Sequence, residues 1–172
     1  MKRDYICRKV DYLKKKYKTS DPYEILECMN VEIWEAPSGT SIKGFCFLSN
    51  QIFYVSINPE LSPQMKRIVA AHELGHIILH KKELKMAMMT DYTFDDLQKD
   101  TEIDANLFAV ELLLDDSEVA KEAMNEENDY YSLCSKLNIM PSMMAYKLKA
   151  MINRGYQYNL PEEINSRCLA KL

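Results

Sequence analysis

The sequence predicts an α+β fold, with a small antiparallel sheet of about three strands packed on a mainly helical body. Short β-rich runs with alternating pattern cluster between residues 31 and 57. On both sides of them apolar residues recur near helical spacing. One helical stretch, residues 62–81, is apolar nearly all round, which marks it as a buried central helix.

The first element spans about residues 3–17, where Tyr5, Ile6, Val10, Leu13 and Tyr17 keep an amphipathic period. Asp21-Pro22-x-Glu24 starts a second helix: Asp21 caps, Pro22 suits the first helical position, and Glu24 can reach back. It should end near Met29-Asn30. Val31–Trp34 is a short strand, and Ile42–Leu48 and Gln51–Ile57 form a hairpin around Ser49-Asn50. Ser62-Pro63 opens the central helix by the logic of Asp21-Pro22. Lys82–Asp91 reads as a Met-rich connection, Phe94–Leu114 as a further helix, and Ser117 as the cap of a short one. Tyr130–Leu137 and Ser142–Asn153 are two helices joined through Asn138 and Pro141.

A chain of 172 residues and 20.1 kDa suits one domain able to bury a core without staples. Within it, residues 1–60 hold the first helices and the sheet, 61–115 the central helices, and 116–172 a helical end. Apolar residues make up 47% and charged residues 28%, so disorder should not dominate. A net charge of -4 argues against non-specific nucleic-acid binding. Lys14, Lys15, Lys16 and Lys18 are a local exception, read as a solvated helix end. No apolar run is long enough for a signal peptide or a membrane span. The five cysteines, Cys7, Cys28, Cys46, Cys134 and Cys168, are scattered and never form a C-x-x-C pair. Reduced thiols in a cytoplasm fit best, most of them as small core residues.

The chemistry-bearing sequence is His72-Glu73-Leu74-Gly75-His76. Histidines four apart on a helix lie one turn apart and roughly 40° apart around the axis, so their rings can meet at one metal ion. Glu73 projects beside them, within reach of a proton on water held by that ion. The flanks Ile68, Val69, Ala70, Ala71, Leu74, Ile77, Ile78 and Leu79 bury the helix. Buried histidines and a buried glutamate need partners, and a metal supplies one. All three histidines of the chain fall in this helix. His80 lies about 6 Å beyond His76 and about 12 Å from His72 along the axis, so it is read as a supporting residue, not a ligand. Gly75 costs about 1 kcal/mol in a helix interior relative to alanine, which close packing against a neighbour would explain.

Catalytic zinc usually takes a third protein ligand. Glu102 and Asp104 compete, and they sit about 200° apart on a helix, so both cannot face one ion. Asp104 shares its side with Asp100 and Glu111, read as the solvent face. Glu102 shares its side with Asn106, Ala109 and Leu113, read as the buried face. A carboxylate and an amide on an apolar stripe suit ligation by Glu102, with Asn106 orienting a ligand histidine. The plainer alternative is a first-turn acid that meets the helix dipole.

At these residues the chain resembles the ImmA/IrrE family of metallopeptidases. The resemblance rests on H-E-L-G-H-I-I-L-H at 72–80 and E-x-D-A-N-x-F-A-x-x-L-L at 102–113, with a strand-rich segment ahead that includes Ile57-Asn58, and covers roughly residues 20–115. It implies a gluzincin-like zinc site with His72, His76 and Glu102 as ligands and Glu73 as catalytic base. It also implies a protein substrate, a helix-turn-helix repressor of a phage or mobile element. Leu114-Asp115-Asp116 departs from the family's usual Met-Pro. The segment from Leu133 to Met151 resembles the family's tail and also a helix-turn-helix cadence. Its second helix carries only Lys147 and Lys149 as basic residues, which is thin for gripping phosphate. Tyr92 is a candidate oxyanion donor, with packing as the simpler role. The rival to a zinc endopeptidase is a zinc-containing regulatory protein that acts only by binding a repressor or DNA.

Overall fold

Residues 2–89, 99–125 and 128–161 are described in the computed structural model, and they group into two compact units, Met1–Leu113 and Leu114–Leu172. The fold is α+β, as the sequence predicts, with a three-stranded sheet among helices.

In the first unit, α1 (Lys2–Tyr17) buries Ile6, Val10 and Leu13, one helical face, and leaves Lys15 and Lys16 in solvent. Lys18 takes φ 58° and ends it. At α2 (Pro22–Cys28) the Asp21 carboxylate accepts from the Tyr23 and Glu24 amides at 2.8 and 3.3 Å, and Pro22 occupies the first turn.

The strands are β1 (Glu32–Glu35), β2 (Gly44–Ser49) and β3 (Ile52–Ile57), in the order β1-β3-β2. The hairpin turn falls at Asn50-Gln51, one residue later than expected, because Ser49 pairs with Ile52. Both turn residues have positive φ, 48° and 66°, as a tight two-residue hairpin demands. The sheet is not purely antiparallel: β1 runs parallel to β3, with Ile33 opposite Val55. Residues 36–43 carry the chain past β3 to its far side, a crossover that no local turn signal announces. Asn58 pins that crossing. Its side-chain amide donates to the Thr40 and Ile42 carbonyls, its backbone amide donates to the Lys43 carbonyl, and its side-chain oxygen accepts from the Glu60 amide. Cys46, Leu48, Val55 and Ile57 are buried on the sheet. Its other face carries an aromatic row, in which Tyr54 stacks on Phe47 at 4.9 Å and meets the exposed Trp34 edge-on at 4.9 Å.

Ser62 caps α3 (Pro63–Leu79) by accepting from the Met65 amide. Ile68–Ala71 and Glu73–Ile77 are all buried, as an all-round apolar helix requires. Immediately after His80 the chain forms α4 (Lys81–Met89), where the sequence suggests a connection. Lys, Glu, Leu, Met and Ala are strong helix formers, and the Leu84 amide bonds the His80 carbonyl across the junction. The next helix, α5 (Lys99–Leu113), packs against both α3 and α1; residues 94–98 of the expected span lie outside the described residues.

The second unit holds α6 (Asp116–Ala123), α7 (Tyr130–Lys136) and α8 (Pro141–Asn153). Asp115, not Ser117, stands at the α6 N-cap, because the helix begins two residues earlier. Asn138 turns the chain between α7 and α8 with φ 52°. Lys147 is only 1% exposed, with its Nζ 2.7 Å from Asp116, and Arg154 grips the same carboxylate at 2.6 and 2.8 Å. One of the two lysines weighed for phosphate contact is therefore buried and paired. No helix among the described residues is long and apolar enough to cross a membrane.

Candidate metal centre

The helical repeat of α3 stacks His72 over His76, with ring centroids 4.7 Å apart and their Nε2 atoms 3.0 Å apart. From α5, Glu102 reaches both: one carboxylate oxygen lies 3.3 Å from His72 Nε2 and the other 3.2 Å from His76 Nε2. Ligands about 2.0–2.1 Å from a tetrahedral centre stand roughly 3.3–3.4 Å apart. The His72–His76–Glu102 triangle comes near this spacing, with one ligand atom from each residue within 4.8 Å of the others. Its N, N, O donor set suits a divalent first-row ion.

The imidazole orientations fit the same use. His72 Nδ1 donates to Asn106 Oδ1 at 3.0 Å, which turns Nε2 toward the triangle. His76 Nδ1 is buried without a hydrogen-bond partner among the described residues, so ring packing between His72 and His80 holds that side chain. Hydrogen bonds from His72 and His76 hold the Glu102 carboxyl well below the usual carboxylate range, so it is an anion ready to ligate. Burial works against a charged His72, but its bond to Glu102 and the charges of Glu73 and Glu102 prevail and raise its pKa. Glu73 is buried beside the triangle. Desolvation pushes its pKa up, while His72, His76 and a hydrogen bond with the Cys46 thiol pull against that shift.

Two burial expectations are reversed. Asp104 and Glu111, read as solvent-facing, are 7% and 8% exposed, whereas the Glu102 side chain is 51% exposed. Helix α5 is covered by α1 as well as α3, so its polar side is not a wet side. Glu102 meets the histidines from an open rim, the geometry a site needs to admit water and a substrate. Asp104 instead lies 3.9 Å from His80 Nε2, both groups buried, which suits the supporting role read for His80. Asn106 meets His72 as expected. Tyr92 and Cys168 lie outside the described residues. Sequence reasoning missed the contact between Cys46 and Glu73, since nothing local links a strand residue to a helix residue 27 positions on.

An α+β chain with an H-E-x-x-H helix and a carboxylate supplied by a second helix has the organisation of a metallopeptidase. The family model described as the IrrE N-terminal-like domain, of peptidase family M78, matches residues 26–149. The chain belongs to this ImmA/IrrE family of peptidases. It is also similar to "Uncharacterized immunity region protein 2" of Bacillus phage phi105, with 38% identity over 107 residues. That match covers 62% of this chain and 66% of the relative, just under two thirds of its length.

Proposed function

We propose that the protein is a zinc-dependent endopeptidase that hydrolyses a peptide bond in a protein substrate, a helix-turn-helix repressor of a phage or mobile element. The observation that carries this reading is the His72–His76–Glu102 triangle with Glu73 buried at its side. The immunity-region name of the phage relative supports a repressor as the target, and a repressor substrate implies action in the cytoplasm.

His72, His76 and Glu102 would hold the ion, and Asn106 fixes the ring of His72. When bound, the ion would supply Lewis acidity that acidifies water and polarises a carbonyl. Glu73 accepts the proton of the attacking water and returns it to the leaving amine nitrogen. Burial of Glu73 and His76 keeps bulk water from the back of the site, and the exposed rim at Glu102 leaves the front open to a peptide.

The test joins metal content to turnover. Zinc per chain should be near stoichiometric in wild type and in Asp104→Asn, and should collapse in Glu102→Ala. Glu73→Gln should keep the metal and lose cleavage by a factor of about 10²–10⁴. Wild type that binds no zinc when zinc is supplied would refute the metal centre. A Glu73→Gln variant that inactivates the repressor as well as wild type would transfer the function to binding alone.

A further inference from the structure

Helix α3 presents Val69 and Glu73, one turn apart, to strand β2, and the strand answers with Gly44 and Cys46, two residues apart on one face. The approach is unusually close. A Cβ added at Gly44 would overlap Val69 Cγ1, sit 3.0 Å from the Ser56 carbonyl oxygen and lie 3.7 Å from Glu73 Oε1. Only glycine lets β2 come this near to the helix. Cys46, 1% exposed, lies two residues further along the same strand face, and Glu73, 6% exposed, faces that strand. A buried carboxylate is costly unless donors face it. His72 and His76 face Glu73 from its own helix, Glu102 faces it as a like charge from α5, and the Cys46 thiol faces it from the sheet.

We propose that Gly44 and Cys46 form a strand-side cradle for Glu73, in which the Cys46 S–H donates a hydrogen bond to the carboxylate and holds it in the orientation proton transfer needs. Cys46 is then a positioning residue for the peptidase reading above, on which the kinetic part of this inference rests. The thiol suits the task because it stays protonated: burial and the neighbouring charge of Glu73 drive its pKa well above the ordinary thiol value. A base carboxylate has several rotatable bonds, and displacement of about 1 Å costs up to about 100-fold in rate. A weak donor such as a thiol recovers part of that.

Two measurements on the zinc-loaded full chain test it. The first needs no substrate: the S–H stretch of Cys46, isolated by Raman difference between wild type and Cys46→Ala, and again in a Glu73→Gln background. A band lowered from the free-thiol position in wild type, and displaced by Glu73→Gln, is expected. A free-thiol band indifferent to Glu73→Gln overturns the proposal. The second is kinetic, on the best-cleaved member of a proteome-derived peptide library. Cys46→Ala should lower kcat about 10-fold at unchanged KM and zinc content, and Cys46→Ser, which keeps an O–H donor, should recover most of it. Wild-type kcat in Cys46→Ala overturns the positioning role. If Glu73→Gln cleaves as fast as wild type, or wild type cleaves nothing, the peptidase reading falls, while the Raman band still decides whether the cradle bond exists.

Discussion

Replacing Gly75 by alanine sets two effects of known size against each other. Alanine gains about 1 kcal/mol of helix propensity over glycine. The added methyl, however, would stand 3.1 Å from Ala105 Cα, 3.2 Å from the Ala105 carbonyl oxygen and 3.2 Å from Phe108 Cδ1. These contacts are tighter than ordinary van der Waals contact, so the neighbours must give by a few tenths of an ångström. Two of the three atoms belong to the backbone of α5, so relief requires the helix to move away. Overpacking of this kind costs about 1–3 kcal/mol. The net is a loss of about 1 kcal/mol, visible in urea unfolding as a lower midpoint at unchanged slope. The same displacement reaches the site, because Glu102 is one turn before Ala105 on α5. Donor distances tolerate about 0.2 Å, so zinc affinity should fall about 10-fold in competition with a chelator. A Gly75→Ala protein that is more stable than wild type and binds zinc equally well would show that the contact between α3 and α5 does not set the metal geometry.

Two further substitutions probe other contacts. Asn106→Ala removes the acceptor that fixes the His72 tautomer, and zinc affinity should drop about 10–100-fold, read by chelator competition. Asp116→Asn strips the buried Lys147 of its counter-charge and should cost about 3 kcal/mol near neutral pH, read by urea unfolding. Partial burial of Asp116 opposes its charge, but Lys147 and Arg154 prevail and hold its pKa below the ordinary value. Its contribution is therefore complete above the unfolded aspartate pKa of about 3.9 and is lost as pH falls through the lower folded value. The stability gap between wild type and Asp116→Asn should shrink in acid below about pH 4. A gap that widens there would contradict the ion pair.

What was legible in the sequence is what neighbours along the chain decide. Asp21-Pro22 and Ser62-Pro63 start helices because the cap and the first-turn proline act within three or four residues. His72 and His76 converge because a helix turns by a fixed angle per residue. The opposite placement of Glu102 and Asp104 on α5 has the same cause: one meets the two histidines, and the other meets His80.

Periodicity also has a limit that these residues mark. It tells which side chains share a face and is silent on which face is wet. Asp104 and Glu111 look solvated in the sequence, yet α5 is covered on that side too. Lys147, weighed in the sequence for phosphate contact, is buried and paired with Asp116, 31 residues earlier. The parallel pairing of β1 with β3 and the seat of Cys46 beside Glu73 depend on a crossover and a strand–helix approach with no local signature. The sequence alone therefore determined most of the helices, α4 excepted, the α+β class and the residues whose chemistry suits ligation. Tertiary structure alone decided burial, strand direction and the partners of the buried charges, because desolvation and cross-chain contact act between segments that the chain order keeps apart.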